Sequence, residues 1–215
     1  MSGPVKSRSY DSRRRREQAA QTRREILDAA ERLFVADGYV ATTIAAIAKD
    51  AGVATKTVYL AFETKSGVLR ALWNLRLRGD QDEIPVAQRT WYLEVLDEPD
   101  PERTLRLNAR NARAVKERVG ALLAVVREAA AVDPDSAALW DRIQTEFHEN
   151  QGRVVATLDE AGALRPGLDA PTATDILWTL NHPEVWQILV GRRGWTPARW
   201  EEWLAESSRQ QLLGR

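Results

Sequence analysis

The apolar residues of this chain recur at intervals of three and four positions, which is the spacing of an amphipathic α-helix. The first such stripe consists of Ile26, Leu27, Ala30, Leu33 and Phe34. Gly38 follows this stripe and predicts the end of the first helix, because glycine adopts left-handed backbone conformations without strain. No segment alternates strictly between apolar and polar residues. The pattern therefore predicts an all-α protein.

Two shorter helices are predicted after the first one. Thr43 is a good N-cap, and the helix that it opens would bury Ile44 and Ile47. Gly52 permits a tight turn, and the next helix runs to Phe62. Two short helices separated by such a turn form a helix-turn-helix. Ordinary packing of two helices in an α-helical protein gives the same periodicity, so the pattern alone leaves both interpretations open.

The outward face of the second short helix would carry small polar and basic side chains. A helix of this kind fits into the major groove of DNA, where such side chains contact bases and phosphates. Tyr59 can also donate its hydroxyl group to a phosphate, and the backbone N–H groups at a helix start favour the same ligand. The candidate DNA-binding residues are therefore Thr43, Thr55, Lys56, Thr57, Tyr59 and Lys65.

Helical spacing continues to the C-terminus, with breaks at proline-containing segments such as Asp133 with Pro134 and Thr196 with Pro197. We expect about nine to ten helices in total. They would form an N-terminal three-helix helix-turn-helix domain and a larger C-terminal helical bundle. The predicted divisions are a flexible basic leader at residues 1–17, the helix-turn-helix domain at 18–70 and the second domain at 71–215.

Charge is divided unevenly along the chain. Residues 1–70 contain 13 Lys or Arg residues against 8 Asp or Glu residues, although the net charge of the whole chain is zero. A basic N-terminal end suits a molecule that faces phosphate there. The four arginines at 13–16 have two interpretations. They are either an arm that contacts phosphates or a minor groove, or the solvated start of the first helix.

Several classes of protein are disfavoured by what the sequence lacks. There is no cysteine, and neither a phosphate-binding glycine loop nor the spacing of a catalytic or metal site is present. The longest apolar run, at residues 119–126, is too short to cross a bilayer, and no secretory signal is visible. We therefore expect a cytoplasmic protein that is not an enzyme, with no catalytic residues, no metal site, no cofactor and no membrane partner.

The stretch at residues 42–69 resembles the signature of the tetracycline-repressor (TetR) family of bacterial regulators. The matching residues are Thr42, Thr43, Ile47, Ala48, Ala51, Gly52, Val53, Thr57, Tyr59, Phe62, Lys65 and Leu69. The preceding helix matches as well, so the resemblance covers roughly residues 20–70. Ala54 departs from the family, whose members often carry a capping Ser there, and Leu60 and Ala61 replace side chains that are frequently polar or aromatic.

The resemblance implies that the region from residue 71 onward binds a small molecule and forms a homodimer through its last helices. A mostly apolar pocket with a few polar groups would suit such a ligand. The candidate pocket residues are Trp73, Trp91, Asn111, Leu122, Trp140, Phe147 and Gln151. Five of the eight tryptophans follow residue 177, and they are either part of a dimer interface or ordinary core.

The function that the resemblance implies is that of a ligand-responsive transcriptional regulator, and of a repressor in particular. Such a protein binds a palindromic double-stranded DNA operator as a dimer and is released by a small hydrophobic effector. An alternative keeps the DNA binding but has no small-molecule ligand. In that case the regulator responds to a protein partner or is constitutive.

Overall fold

We describe the fold from a computed structural model of the chain, which covers residues 6–78 and 85–214, with side chains from Arg14 onward. Ten α-helices and no β-strand occur in this part of the chain, and a single isolated bridge pairs Leu164 with Leu213. The predicted all-α class is confirmed. None of the described helices is both long and apolar enough to span a membrane.

The helix-turn-helix lies where the sequence predicts it. Helix α1 (Lys6–Ala41) is followed by α2 (Ile44–Asp50) and α3 (Thr55–Phe62). Non-helical backbone at Gly38, with φ of 82° and ψ of 168°, interrupts the last turns of α1. Glycine takes up this left-handed φ readily, whereas a residue with a Cβ atom would be strained there.

The first helix begins earlier than the predicted boundary of the leader. Residues 1–5 lie outside the described part of the chain, but α1 already starts at Lys6, so residues 6–17 are helical. No glycine or proline precedes Gly38 in this helix, and the segment is rich in Arg, Gln, Glu and Ala, which favour helix. The predicted boundary depends on the apolar stripe, which is missing before Ile26. An apolar stripe indicates that a helix packs against the core, but the end of a helix can extend into solvent without such a stripe.

The remaining helices are α4 (Lys65–Arg78), α5 (Thr90–Leu96), α6 (Pro101–Ala130), α7 (Pro134–Glu160), α8 (Ala170–Leu180), α9 (Pro183–Trp186) and α10 (Pro197–Leu212). A π-helical segment, Gln187–Arg192, follows α9. Thr196 caps α10 with its side chain and a proline occupies the first turn, as the sequence predicts. The same arrangement opens α7, where Asp133 is the cap.

Helix α6 is the central helix of the fold. It packs against α1 and α4 on one side and against α5, α7 and α10 on the others. One hydrophobic cluster contains Phe34 of α1 and Val58 of α3 together with Leu123 and Val126 of α6. The helix-turn-helix and the bundle therefore share a continuous core, and α4, which the predicted boundary at residue 70 divides, belongs to both.

The turn between α3 and α4 is tightly packed. Glu63 adopts a positive φ of 67°, which is unusual for a residue with a side chain. Gly67, in the first turns of α4, lies so close to the carbonyl oxygen of Phe62 that a Cβ atom on it would overlap that oxygen. The oxygen belongs to the backbone of α3, so it cannot rotate aside as a side chain would. The position therefore requires glycine.

We expect Gly67→Ala to destabilise the protein by about 1–3 kcal/mol, because α3 and α4 must separate to accommodate the added methyl group. Thermal unfolding followed by circular dichroism would measure this change as a lower Tm. Gly191→Ala is the matched control, since a Cβ atom at Gly191 would meet nothing within 4 Å. Equal Tm values for the two variants would contradict the close packing of this turn.

Candidate nucleic-acid interface and internal cavity

The two short helices are held by local capping and by buried side chains. The Thr43 hydroxyl accepts a hydrogen bond of 3.1 Å from the backbone N–H of Ala46, which confirms the predicted N-cap of α2. Ala54 supplies no side-chain cap to α3. That helix is instead anchored by Val58 and Phe62, which are buried against the supporting helices.

The outward face of α3 carries most of the predicted DNA-binding residues. The side chains of Thr55, Lys56 and Tyr59 are exposed, and Thr57 is half-buried. Leu60 is 77% exposed beside Tyr59, so the same surface also presents an apolar group. Hydroxyl and ammonium groups suit phosphates and base edges, and an apolar side chain suits the methyl group of thymine. The face can thus make each main kind of major-groove contact.

Two arginines of α1 position the helix-turn-helix. Arg23 donates a hydrogen bond of 2.7 Å from Nη1 to the carbonyl oxygen of Ala61, and its guanidinium lies 4.1 Å from the centre of the Phe62 ring. Arg32 forms an ion pair of 2.7 Å with Asp50 at the end of α2. Sequence reasoning missed both contacts, because their partners are 38 and 18 residues apart and belong to no local pattern.

The Lys65 side chain points inward, whereas the sequence-based prediction concerned the backbone N–H at this helix start. Its ammonium group donates to the carbonyl oxygens of Tyr39, at 2.8 Å, and Thr42, at 3.0 Å, and lies 4.1 Å from the centre of the Tyr39 ring. Desolvation by burial lowers its pKa. The Lys65 side chain therefore joins the end of α1 to the start of α4. Only the backbone N–H at this helix start stays a candidate for a phosphate contact.

The junction with the bundle is made by acidic groups at the α6–α7 turn. The Tyr39 hydroxyl donates to Asp133 at 3.2 Å, and the Glu128 carboxylate accepts from the backbone N–H of Tyr39 at 3.3 Å. Burial, the largest cause, raises the pKa of Tyr39 to about 12, so the phenol keeps its proton. The Ser66 hydroxyl donates to Asp135 at 3.3 Å. Movement of this turn would therefore be transmitted to both α1 and α4.

A cavity of about 140 Å³ lies in the bundle between α4, α6, α7 and the segment around α9. Five of the seven predicted pocket residues line it, namely Trp73, Trp91, Asn111, Phe147 and Gln151. The prediction is wrong for Leu122 and Trp140, which pack in or against the core shared with α1. Helix α6 is buried on more than one side, and periodicity does not distinguish the side that faces a cavity from the side that faces core.

The cavity wall also contains a polar network that the sequence reasoning missed. Lys116 donates to Asn181 Oδ1 at 2.5 Å, and Gln151 Oε1 accepts from the amides of Asn108 and Asn181, each at 3.2 Å. Lys116 is only 7% exposed, and burial lowers its pKa to about 7. The sequence could have indicated that Lys116 is buried, because it lies four residues after Ala112 and three before Val119, on an apolar stripe.

The buried Lys116 should make the stability of the protein depend on pH. Its pKa is lower in the folded state than in the unfolded state, so the unfolded state binds more protons between pH 7 and 10. Burial of Lys116 therefore lowers the free energy of unfolding most at pH 7, and progressively less as the pH rises. We expect Lys116→Met to be more stable than the wild type at pH 7, with a difference that shrinks toward pH 9.5.

Urea unfolding at pH 7, 8 and 9.5 would measure this difference. Lys56→Met is the matched control, because Lys56 is exposed and its replacement should alter stability equally at each pH. Lys65, whose pKa is also lowered, is common to all three proteins and does not enter the comparison. A difference between Lys116→Met and the wild type that does not change with pH would contradict the buried ammonium.

Comparison with known proteins relates the helix-turn-helix to the same family that the sequence motif resembles. Residues 26–72 match the family described as bacterial regulatory proteins, tetR family. The transcriptional regulator TtgR of Pseudomonas putida is 37% identical over 94 residues, which are 44% of this chain and 42% of that protein. The aligned part spans less than half the length of each curated relative that the chain matches.

Solved structures extend the likeness of fold to nearly the whole chain. NalD, the secondary repressor of the MexAB-OprM multidrug efflux pump in Pseudomonas aeruginosa, aligns with a TM-score of 0.71 at 23% identity, over 91% of this chain and 98% of NalD. A regulator from Saccharomonospora viridis, solved in complex with choline, aligns with a TM-score of 0.70 at 19% identity, over 91% of this chain and all of that one (100%). The motif at residues 42–69 and the family match over residues 26–72 agree, so this part of the chain is similar to the bacterial regulatory proteins of the tetR family.

Proposed function

We propose that this protein is a DNA-binding transcriptional repressor that a small molecule releases from its operator. The observation that carries the proposal is the outward face of α3, where Thr55, Lys56 and Tyr59 are exposed on a helix that α1 holds in place. A helix so supported can enter the major groove. A DNA operator as partner would require a cytoplasmic location, which is part of the proposal.

A homodimer is the proposed binding unit, because two recognition helices read the two halves of a palindromic operator. Helices α8 and α10 pack side by side and leave a shallow outer groove between them. Ile176 and Leu180 of α8 are half-buried in that groove, so part of their apolar surface stays open to a partner. This supports an interface in which α8 and α10 of two copies form a four-helix bundle.

We expect release from DNA to involve a displacement of α4. Trp73 and Leu77 on this helix line the cavity, whereas Lys65 and Ser66 at its other end contact α1 and the α6–α7 turn. A ligand that displaces Trp73 would shift α4 and change the separation of the two recognition helices. Coupling between two sites is typically about 1–3 kcal/mol, which corresponds to a 5- to 150-fold loss of operator affinity.

A regulator without a small-molecule ligand is the alternative. The cavity favours the ligand-responsive function, because its wall combines aromatic side chains with a few polar groups, as ligand pockets do. A thermal-shift screen against a compound panel separates the two. A compound that raises the Tm and lowers operator affinity supports induction, whereas no hit and unaltered DNA binding would favour the alternative.

We expect Lys56→Ala and Tyr59→Phe to weaken DNA binding. Loss of the Lys56 ammonium should also reduce the dependence of affinity on salt, because one fewer phosphate is neutralised in each half-site. Loss of the Tyr59 hydroxyl should cost about 1 kcal/mol per half-site, the value of one hydrogen bond. A gel shift on a duplex that the wild-type protein selects from a random library would measure both affinities.

Arg165→Ala is the control for these variants, because Arg165 is exposed in the loop between α7 and α8, far along the chain from α3. All variants should sediment as the wild type does, so that only DNA contacts differ. Unchanged affinity for both Lys56→Ala and Tyr59→Phe would show that this face of α3 does not read DNA.

We expect Ile176→Glu to dissociate the dimer, because a buried carboxylate without a partner would be costly at the proposed interface. Sedimentation velocity would show the change from dimer to monomer. Val132→Glu is the matched control: Val132 is 62% exposed in the α6–α7 turn, away from α8 and α10. A wild-type monomer, or a dimer that survives Ile176→Glu, would place the interface elsewhere or remove it.

A further inference from the structure

The cavity contains a buried positive charge for which the described residues supply no counter-charge. Lys116 forms no ion pair among them, and desolvation is the cause of its lowered pKa. An ammonium group has three N–H donors, and the hydrogen bonds of the described residues give this one a single acceptor, Asn181. The rings of Trp200 and Phe147 lie 4.8 and 5.6 Å away, which compensates the charge only in part.

The acidic groups on the surrounding helices are engaged with other cations. Glu146, at the edge of the cavity, pairs with Arg142 at 3.8 Å, and Glu201 of α10 pairs with Arg113 at 3.1 Å. Glu184 of α9 pairs with Arg127 at 2.5 Å. Two further titratable groups lie nearby. Burial lowers the pKa of His182 and raises the pKa of Tyr92 to about 12, so both side chains are mostly neutral at pH 8.

A second donor lies in the same wall. The Nε2 atom of Gln144 is buried and has no acceptor among the described residues, while its Oε1 atom is 3.2 Å from His182 Nε2. Gln144 and Lys116 both line the cavity. Buried donors without acceptors are costly, and an anion placed between them would satisfy both at once.

We propose that the cavity binds a small carboxylate, with its anionic group at Lys116 and Gln144 and its apolar body against Trp73, Phe147 and Trp186. The volume of about 140 Å³ is comparable with cavities that hold a single benzene ring, so the ligand has one ring or a short alkyl chain. This narrows the small hydrophobic effector expected from the sequence to an amphipathic anion. Its effect on DNA rests on the proposed function, but its binding does not.

Binding should be accompanied by proton uptake. With a pKa of about 7, Lys116 is mostly neutral at pH 8 in the empty protein. A carboxylate at hydrogen-bond distance favours the charged form, so the group takes a proton from the solvent as the ligand binds. Uptake of this kind makes the calorimetric enthalpy depend on the ionisation enthalpy of the buffer. A ligand that merely fills the apolar part of the cavity would not show it.

The probes are phenylacetate, its uncharged isostere phenylacetamide and the cation 2-phenylethylamine, titrated into the full chain by calorimetry. We expect phenylacetate to bind at least tenfold more tightly than phenylacetamide, and 2-phenylethylamine not to bind. At pH 8, the enthalpy for phenylacetate should differ between phosphate and Tris buffers in proportion to the protons taken up. The amide should show no such difference.

Lys116→Met should remove the preference for the carboxylate and the proton uptake, and leave the affinity for phenylacetamide unchanged. The unaltered amide affinity shows that the variant is folded and keeps its cavity. Arg110→Met is the matched control, because Arg110 is exposed on the same helix and should behave as the wild type.

The proposal is overturned if the acid and the amide bind equally, if Lys116→Met binds phenylacetate as the wild type does, or if phenylacetate, benzoate and octanoate all fail to bind. The gel shift separates this from the proposed function. Phenylacetate that binds with the expected preference but leaves operator affinity unchanged would keep the carboxylate site and remove its role in release.

Discussion

The structure depends on the packing of α6 against α1 and α4, the two helices that support the helix-turn-helix. Phe34 of α1, Val58 of α3 and Leu69 of α4 belong to the same buried cluster as Leu123 and Val126 of α6. Protein interiors are close-packed and transmit displacement instead of absorbing it. In the proposed mechanism, a displacement of α4 beside the cavity would therefore also shift α3. The same packing makes the recognition helix rigid enough to be positioned at all.

Polar contacts also attach α4 to α1 and to the bundle. Lys65 ties the end of α1 to the start of α4, and the carboxylates of Glu128 and Asp133 hold Tyr39 from the other side. Further along α4, Arg76 forms ion pairs of 2.6 Å with both Asp28 and Glu31 of α1. Helix α4 is thus attached to α1 at both ends, and the proposed ligand beside Trp73 would act on the segment between the attachments.

Lys116 shows how a cost in stability and a binding site can be one feature. A charge buried without a partner disfavours folding, and a hydrophobic residue of similar size would pack there more favourably. Its presence in the wall of a mostly apolar cavity is explained if an anionic ligand completes the electrostatics. The network through Asn181 and Gln151 then holds the ammonium in position before the ligand arrives.

The helical class, the caps of α2 and α10 and the position of the helix-turn-helix could be predicted from the sequence, because these depend on residues within one or two turns of each other. Which side of α6 faces the cavity became clear from the packing of the helices, which places Leu122 in the core and Lys116 in the cavity wall. The same packing turns the Lys65 ammonium inward, onto the carbonyl oxygens of Tyr39 and Thr42. These contacts join residues more than twenty positions apart in the chain, so the periodicity of a single helix cannot predict them.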